Sequence, residues 1–282
     1  MTVLGKRVTV GQKIGQWMRV LKATAFSTYK EWVAYRSQMA VTIFVGPVFF
    51  LTQIFIWRAV YAARTTLNGL TLEQMLTYYG IVAVIGYLTF DSADWDLQWL
   101  IRNGSFLTYM LRPVSYCFLA FAQKIGHRLL ALWVELIPVY LLFIYLFKID
   151  LVPAQPGWAI LSLGLSFILV YLTNYCIGIT AFWFTKTEGL RRAFLTLRDL
   201  SAGMLIPLTF FPKGMQKVLF YLPFQFITYV PTRVFIGHYE LAGISLSIPQ
   251  VVGLQFAATL VMFAVAQLLW YFGIKRFTGV GA

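Results

Sequence analysis

The feature of this 282-residue sequence that most constrains its fold is a series of long stretches without a charged residue. Residues 37–57, 74–90 and 151–185 contain no Asp, Glu, Lys or Arg. A helix needs about 20 mostly apolar residues to cross the hydrocarbon core of a bilayer. Charged residues make up only 12% of the chain, whereas soluble domains contain roughly 25%. This excludes an ordinary soluble enzyme and a disordered chain, and it predicts an all-α, polytopic membrane protein.

Charged residues also mark where the predicted spans begin and end. The first uncharged run ends at Arg58 and contains Gly46-Pro47, which predicts a kink in its helix. Another run, residues 129–147, is interrupted only by Glu135. The spans predicted in this way are residues 37–57, 74–90, 129–147, 157–186 and 249–274.

The segment between residues 199 and 240 is apolar but broken. As a helix, residues 200–212 cover only about 20 Å of a hydrocarbon core that is roughly 30 Å thick. A second uncharged run, residues 218–232, contains two prolines. One alternative is two tightly packed full spans. We favour the other, one span beginning near Gly189 and a re-entrant hairpin at about residues 212–236, because broken backbone is tolerated in a membrane where protein buries it.

The distribution of Lys and Arg predicts the orientation. With six spans, 17 of these residues fall in segments on the same side as the N-terminus and 6 on the other side. Basic residues are enriched on the cytoplasmic side of membrane proteins, so both termini are predicted to be cytoplasmic. The net charge of +13 comes mostly from residues that flank spans. It therefore favours anionic membrane lipids, and no nucleic acid, as the partner.

Two cytoplasmic segments have the pattern of amphipathic helices. Residues 13–36 place Trp, Tyr and aliphatic residues on one stripe, which predicts a helix in the membrane interface; packing on a neighbouring domain is the alternative. The loop between the second and third spans predicts a helix ending at Asn103-Gly104 and a second helical turn at residues 106–111. We expect this loop to dock on a partner, with attachment to the membrane as the alternative.

Few residues in the sequence suggest chemistry. No phosphate-binding G-x-x-x-x-G-K-[ST] motif is present, so any ATP must be bound by another polypeptide. Asp91, Asp94 and Asp96 are the single candidate for a catalytic metal site. Their spacing does not put all three on one helical face, and acidic residues at a helix N-terminus also interact favourably with the helix dipole. We favour this second interpretation, and we predict no catalytic residues.

Glu135 is the one acidic residue inside a predicted span, and a carboxylate there is costly unless it is paired or functional. Three roles remain open for it: a structural pair with a basic group on a neighbouring helix or subunit, a contact with substrate or a gate, and proton coupling. Aromatic residues in and near the predicted hairpin are candidates for lining a path for an amphipathic substrate at an outer gate. They are Phe210, Phe211, Phe220, Tyr221 and Phe224.

Two stretches, Ile101–Ser115 (IRNGSFLTYMLRPVS) and Pro207–Gly237, carry a family resemblance. Together with the N-terminal helix, six spans, docking loop and re-entrant hairpin, they resemble the permeases of ABC exporters of the type-two export family, in its six-span bacterial branch. The resemblance implies residues 1–36 as tail and interfacial helix and residues 37–282 as the six-span permease domain, in the bacterial inner membrane.

The resemblance also implies partners. The permease would form a homodimer or heterodimer with a second permease chain and work with two cytoplasmic ATPase subunits. It would bind no cofactor itself, because ATP and Mg²⁺ belong to the ATPase. Residues 92–112 would form the coupling region, with a smaller contact from Lys186–Arg198. The implied coupling residues are Trp99, Arg102, Asn103, Gly104, Phe106, Leu107 and Arg112.

Two other functions compete with this interpretation. An ion-coupled secondary transporter predicts intramembrane ion sites or internal repeats, and the sequence offers only Glu135. A membrane-embedded lipid-processing enzyme depends on the three aspartates.

Overall fold

A computed structural model describes residues 10–35, 41–149, 151–184 and 186–277, with side chains from residue 15 onward. Its main helices are α1 (Val10–Ala34), α2 (Val45–Val60), α3 (Leu72–Thr89), α4 (Ala93–Arg102), α5 (Phe106–Met110), α6 (Tyr116–Ala131), α7 (Ile137–Tyr145), α8 (Pro156–Ile179), α9 (Glu188–Ser201), α10 (Lys213–Tyr221), α11 (Tyr229–Ile236) and α12 (Ile248–Ile274). A π-helical segment, Leu132–Leu136, joins α6 to α7.

Among the residues that the structure describes, three helical segments are long and apolar enough to cross a membrane: Tyr116–Tyr145, Pro156–Phe182 and Ile248–Ile274. The shortest of these contain 27 residues, about 40 Å of helix at 1.5 Å per residue. Helix α2 is apolar but has only 16 residues. The prediction of an all-α, multi-pass membrane protein is confirmed, and the number of six spans stays a prediction.

Helix α3 lies at the centre of the main hydrophobic core. It contacts α2, α8 and α11, and Tyr78, Tyr79 and Ile81 are almost completely buried. Because α3 is surrounded by other helices, it needs no polar face, and residues 74–90 are accordingly apolar on all sides. A second core joins α4, α6 and α8 through residues such as Leu97, Tyr116 and Tyr175.

Short antiparallel hairpins close two of the connections. Strand β1 (Thr66–Leu67) pairs with β2 (Leu70–Thr71), and β3 (Tyr239–Leu241) pairs with β4 (Ile244–Leu246). Both turns contain two central residues with positive φ, Asn68-Gly69 in the first hairpin and Ala242-Gly243 in the second. This is the backbone of tight two-residue hairpin turns, which glycine and asparagine adopt most easily.

The first predicted span begins later in the structure than the charges suggested. Helix α2 begins at Val45, and Pro47 lies in its first turn. Residues 41–42 before it are also helical, and a turn at residues 43–44 interrupts the helix directly before Gly46-Pro47, where we predict a kink. Proline is tolerated in the first turn because its missing N–H has no intrahelical partner there. Residues 37–40 of the predicted span lie outside the described residues.

The third predicted span begins earlier than expected. Its helix starts at Tyr116, so Lys124 and Arg128 lie inside the helix and do not mark its end. Both side chains form ion pairs with acidic residues. Pairing lowers the free-energy cost of placing a charge within a membrane helix, so these two charges do not mark a boundary. Pro138 follows the π-helical segment, and it has no N–H to continue the α-helical hydrogen bonds.

The segment between residues 188 and 236 is a series of short helices. Helix α9 has 14 residues, about 21 Å, and ends before a turn in which Gly203 has φ +78°. The span predicted from Gly189 is therefore not one continuous helix. Helices α10 and α11 lie within the predicted hairpin, and their depth in a membrane stays a prediction.

Helix α1 confirms the helical prediction for the N-terminal segment. It packs against α6, so closely that a Cβ at Gly126 would lie 2.2 Å from the Ala25 carbonyl oxygen. Trp17 contacts Phe118, and Trp32 contacts His127, with ring centroids 4.7 and 4.2 Å apart. The aromatic stripe therefore packs at least partly on α6, and the position of the helix relative to the membrane stays a prediction.

Candidate functional site

The predicted docking loop folds into α4, a turn and α5. Helix α4 ends at Asn103, and Gly104 adopts φ +77°, a conformation that glycine reaches at little cost. Both the helix and the turn signal are confirmed. The inner face of α4 packs on α8, where a Cβ at Gly178 would lie 3.1 Å from Leu97 Cβ. This close contact fixes α4 against a membrane-length helix.

The outer face of α4 and α5 exposes large apolar side chains. Trp99 is 53% exposed, and Trp95, Leu107 and Met110 are also exposed. Among the residues predicted to contact a partner, Asn103, Leu107 and Arg112 are exposed, whereas Arg102 and Gly104 are half-buried. Phe106 is buried among aromatic residues of the second core.

The three aspartates each lie in a different environment. Lys124 donates to Asp96 Oδ2 at 2.5 Å and to Ser92 Oγ at 2.8 Å, and it lies 3.9 Å from Asp91 Oδ1. Asp94 pairs with Arg191 of α9. No group of three His, Cys, Asp or Glu residues able to hold a metal occurs in the part of the chain that the structure describes. The aspartates are thus paired with cations from other helices, partners that their position at the start of α4 did not reveal.

Burial affects the most enclosed of these carboxyl groups. Desolvation raises the pKa of Asp91, and the opposing effects of Lys124, the Ala93 N–H and the Asn174 amide only partly lower it. The Ala93 N–H donates at 2.9 Å and Asn174 Nδ2 at 3.0 Å to Asp91 Oδ2.

The same polar network extends to α8 and α9. Arg198 Nη1 donates to Asn174 Oδ1 at 2.5 Å, so the chain of contacts runs from Asp91 through α8 to α9. The Thr187 hydroxyl donates to Gln98 Oε1 at 2.8 Å, and Gln98 Nε2 donates to the Ile177 carbonyl at 3.3 Å. Sequence reasoning missed these contacts. The one available signal was a single Asn inside the longest uncharged stretch.

Glu135 lies in a second, separate polar site. Its side chain is 4% exposed and belongs to the π-helical segment. The Thr42 hydroxyl donates to Glu135 Oε1, and Arg128 Nη1 lies 3.8 Å from Oε2. The basic group beside it therefore lies one to two turns earlier on the same helical segment, whereas we had expected a neighbouring helix or subunit.

Arg128, which sequence reasoning treated as a boundary, is the main cation of this site. It is 8% exposed. Its guanidinium donates to the Tyr87 carbonyl at 2.6 Å and to His127 Nδ1 at 2.8 Å, and it lies 5.3 Å from the Phe90 ring centroid. Its buried Nε has no hydrogen-bond partner among the described residues.

A cavity of about 400 Å³ adjoins this ion pair. Helices α1, α2, α3 and α6 surround it, and Arg128, Glu135 and His127 line it together with mainly apolar side chains. Its size lies in the range of small-molecule sites, about 300–1,000 Å³. The arrangement is an apolar cavity with a few polar groups in its wall.

Of the five aromatic residues suggested for an outer gate, all except Tyr221 are partly buried at the edge of the main core. Phe210 lies 5.4 Å from Trp57, and Phe224 lies 5.8 Å from Phe194 of α9, measured between ring centroids. Phe220 contacts Tyr221, which is 84% exposed. Phe211 packs at the edge of the main core. A gate formed by these residues stays a prediction.

Comparison with known proteins identifies the family. A family model described as ABC-2 family transporter protein matches residues 48–281, which include most of α2, all of α3 to α12, the three aspartates and the Arg128–Glu135 pair. No significant match is found among curated proteins or among solved structures. Because the match covers most of the sequence, this chain belongs to the ABC-2 family of transporter proteins.

Proposed function

We propose that this chain is the permease subunit of an ATP-driven ABC exporter, and that α4 and α5 receive the movement of a cytoplasmic ATPase. Family membership supports a membrane component of an ABC transporter that is not itself catalytic. The proposal adds export, a dimer of permeases, two ATPase subunits that carry ATP and Mg²⁺, and six spans in a bacterial inner membrane with both termini inside.

The observation that carries the proposal is the contrast between the two faces of α4. The inner face is fixed by Leu97, Gln98 and Asp94 to helices α8 and α9. The outer face exposes Trp95 and Trp99. Exposed aromatic residues on a rigid element are typical of protein–protein contact sites.

The polar network offers a route for movement away from the docking surface. Lys124 links α4 to α6, Gln98 links it to α8, and Arg191 links it to α9. Asn174 of α8 also binds Asp91, two residues before α4. A force on α4 would therefore act on three helices together. Phe106 has an anchoring role in this scheme, because its ring is enclosed by Phe182 and Trp270.

Co-purification tests the docking surface. The tagged chain is purified from its native membranes, and the ATPase recovered per permease is measured for Leu107→Glu. We expect recovery to fall about tenfold, since a charge in an apolar contact costs at least ~1.4 kcal/mol. Native mass spectrometry of the same sample is expected to give two permease and two ATPase chains.

The matched control is Ile244→Glu. Ile244 has similar exposure but belongs to the β3–β4 hairpin at the predicted outer surface, so recovery of the ATPase is expected to be unchanged. Equal recovery with both variants and the unmodified chain would refute docking at α5, and absence of any ATPase from the unmodified complex would refute the exporter proposal.

A further inference from the structure

We propose that the cavity beside Arg128 binds an amphiphile whose acidic headgroup, a phosphate or a carboxylate, is recognised by Arg128 and His127. The inference goes beyond the proposed function, since binding at this cavity does not require docking of an ATPase. It rests on the hydrogen bonds of the cavity wall, on its apolar lining and on the space beside Gly86.

The hydrogen-bond pattern leaves donors available for a ligand. A guanidinium can only donate, so His127 Nδ1 must accept from Arg128. The proton of the neutral imidazole then lies on Nε2, which can donate. Arg128 Nε–H is buried and has no partner among the residues that the structure describes. A buried charged donor without a partner is costly, and an anionic oxygen is the group that satisfies it best.

Glu135 is the acidic group of the cavity wall, and one of its oxygens is already engaged. Its Oε1 already accepts from the Thr42 hydroxyl. Its Oε2 lies 3.8 Å from Arg128 Nη1, which is an ion pair but is longer than a hydrogen bond. The carboxylate thus partly neutralises Arg128 without saturating its donors, and this favours an acceptor headgroup over a cationic one.

The rest of the cavity wall suits an apolar chain. Val45, Phe49, Val82, Ala83, Phe90 and Met204 line it. Val45 and Phe90 are also exposed on the outside of the helix bundle, so the cavity reaches the surface, where a chain can enter from the bilayer. Tyr87 and Arg128 also line a second cavity of about 210 Å³. A small soluble anion alone would leave this apolar wall unfilled.

Gly86 gives a way to fill the cavity without disturbing the fold. It lines the cavity, and a Cβ added there meets no heavy atom within 4 Å. Replacing a helical glycine also removes an entropic cost of about 1 kcal/mol. Gly86→Leu is therefore expected to fold and to block binding. Gly253 of α12 has equally open space and does not line this cavity, so Gly253→Leu is its matched control.

Photolabelling tests the proposal directly. The purified permease in phosphatidylcholine nanodiscs is labelled with diazirine-bearing phosphatidylglycerol, and labelled peptides are mapped by mass spectrometry. We expect labelling of α2, α3 and α6 at the cavity. Loss of the charge–anion contact in Arg128→Gln is expected to reduce it about tenfold. Gly86→Leu should reduce it similarly, and Gly253→Leu should not.

Competitors identify the ligand chemistry. Dodecyl phosphate is expected to reduce the labelling, whereas inorganic phosphate and dodecyl maltoside are not. Equal labelling by a choline-headgroup probe, equal competition by inorganic phosphate, or full labelling in both Arg128→Gln and Gly86→Leu would overturn the proposal. In the complete complex, a fall in labelling during ATP hydrolysis would identify exported cargo as the natural ligand. Constant labelling would identify a resident lipid. Both outcomes support the binding site.

Discussion

The two charged regions of this protein, the network around α4 and the Arg128–Glu135 pair beside the cavity, differ in which kind of polar atom is left without a partner. Around α4, Lys124, Arg191 and Arg198 each meet an acidic or amide oxygen at 2.9 Å or less. Beside the cavity, Arg128 and Glu135 remain 3.8 Å apart. Among the described residues, both regions contain buried atoms without a hydrogen-bond partner: the acceptors Asp91 Oδ1 and Asp94 Oδ1 near α4, and the donor Arg128 Nε beside the cavity. The first region therefore joins several helices and leaves only acceptor atoms unpartnered, whereas the second leaves a donor unpartnered on a cation that lines a cavity.

The two regions also differ in their surroundings. The α4 network connects four helices, and although its acids Asp91 and Asp94 are buried, Asp96 and the cation Arg191 are partly exposed. The Arg128–Glu135 pair is almost fully buried and lies within one helical segment. Ion pairs in such environments have very different energies, because removing one buried partner leaves an uncompensated charge, whereas water replaces an exposed partner. Four substitutions test this comparison.

The largest effect is expected for Glu135→Ala. It leaves the Arg128 guanidinium buried without a counter-ion, which typically costs about 3–5 kcal/mol. The apparent melting temperature in detergent should fall steeply. Replacing both residues, as in Arg128→Met with Glu135→Leu, should restore most of the loss. If the single and double variants melt at the same temperature, the two charges do not compensate each other.

A smaller effect is expected for Asp94→Asn. It removes the negative partner of Arg191, whose side chain keeps some contact with solvent, so we expect a loss of about 1–3 kcal/mol. Combined with Arg191→Gln, the loss should be less than the sum of the two single losses. Melting curves of the four proteins measure this coupling. Strict additivity would show that α4 and α9 are not joined by this pair.

The pH dependence of stability is expected to reveal the burial of Asp91. Its pKa is raised by folding, so the folded protein holds this proton more tightly than the unfolded chain. The contribution of this proton to the free energy of unfolding is fully present below the pKa of Asp91 in the unfolded chain, about 3.9. It is lost as the pH rises through the pKa of Asp91 in the folded protein. The melting temperature of Asp91→Asn should therefore rise relative to the unmodified chain as pH increases above about 4.

Glu73→Gln is the control for that measurement, because Glu73 is an exposed acid at the start of α3. A parallel pH profile for Asp91→Asn and the unmodified chain would contradict the burial argument.

The smallest effect is expected for Glu188→Gln. Its pair with Arg102 spans 3.4 Å, and the Glu188 side chain is 57% exposed. Exposed pairs of this kind contribute about 0–1 kcal/mol. We expect little change in melting temperature, and any change should disappear at high salt. A loss as large as that of Asp94→Asn would mean that this exposed pair belongs to the rigid part of the network.

Much of the fold could be predicted from hydropathy and turn chemistry. Residues 74–90 and 157–186 gave helices close to α3 and α8, and Asn103-Gly104 marked the end of α4. Boundaries failed where a charge lies inside a helix, as for Arg128, or where a proline starts one, as for Pro47. Using charged residues as span boundaries assumes that each charge faces lipid or water. A charge that is paired inside the protein can lie within a span, so it does not mark a boundary.

The candidate sites were predicted only in part. Glu135 was identified as unusual from its position, and its partner Arg128 was not, because the sequence does not show that the helix starts at Tyr116. The three aspartates were identified as one cluster, yet each depends on a side chain more than 25 positions away in sequence. Such pairings follow from helix packing, which one sequence does not specify.

Composition and spacing alone identify this chain as a helical membrane protein, because they set the free energy of moving its segments from water into lipid. They also determine the amphipathic character of α4, which follows from the helical period. Which charges meet, where the cavity lies and which donors stay unpaired become visible only in the folded protein. Those properties depend on distances of a few ångströms between residues far apart in the chain, and they arise only when the helices pack.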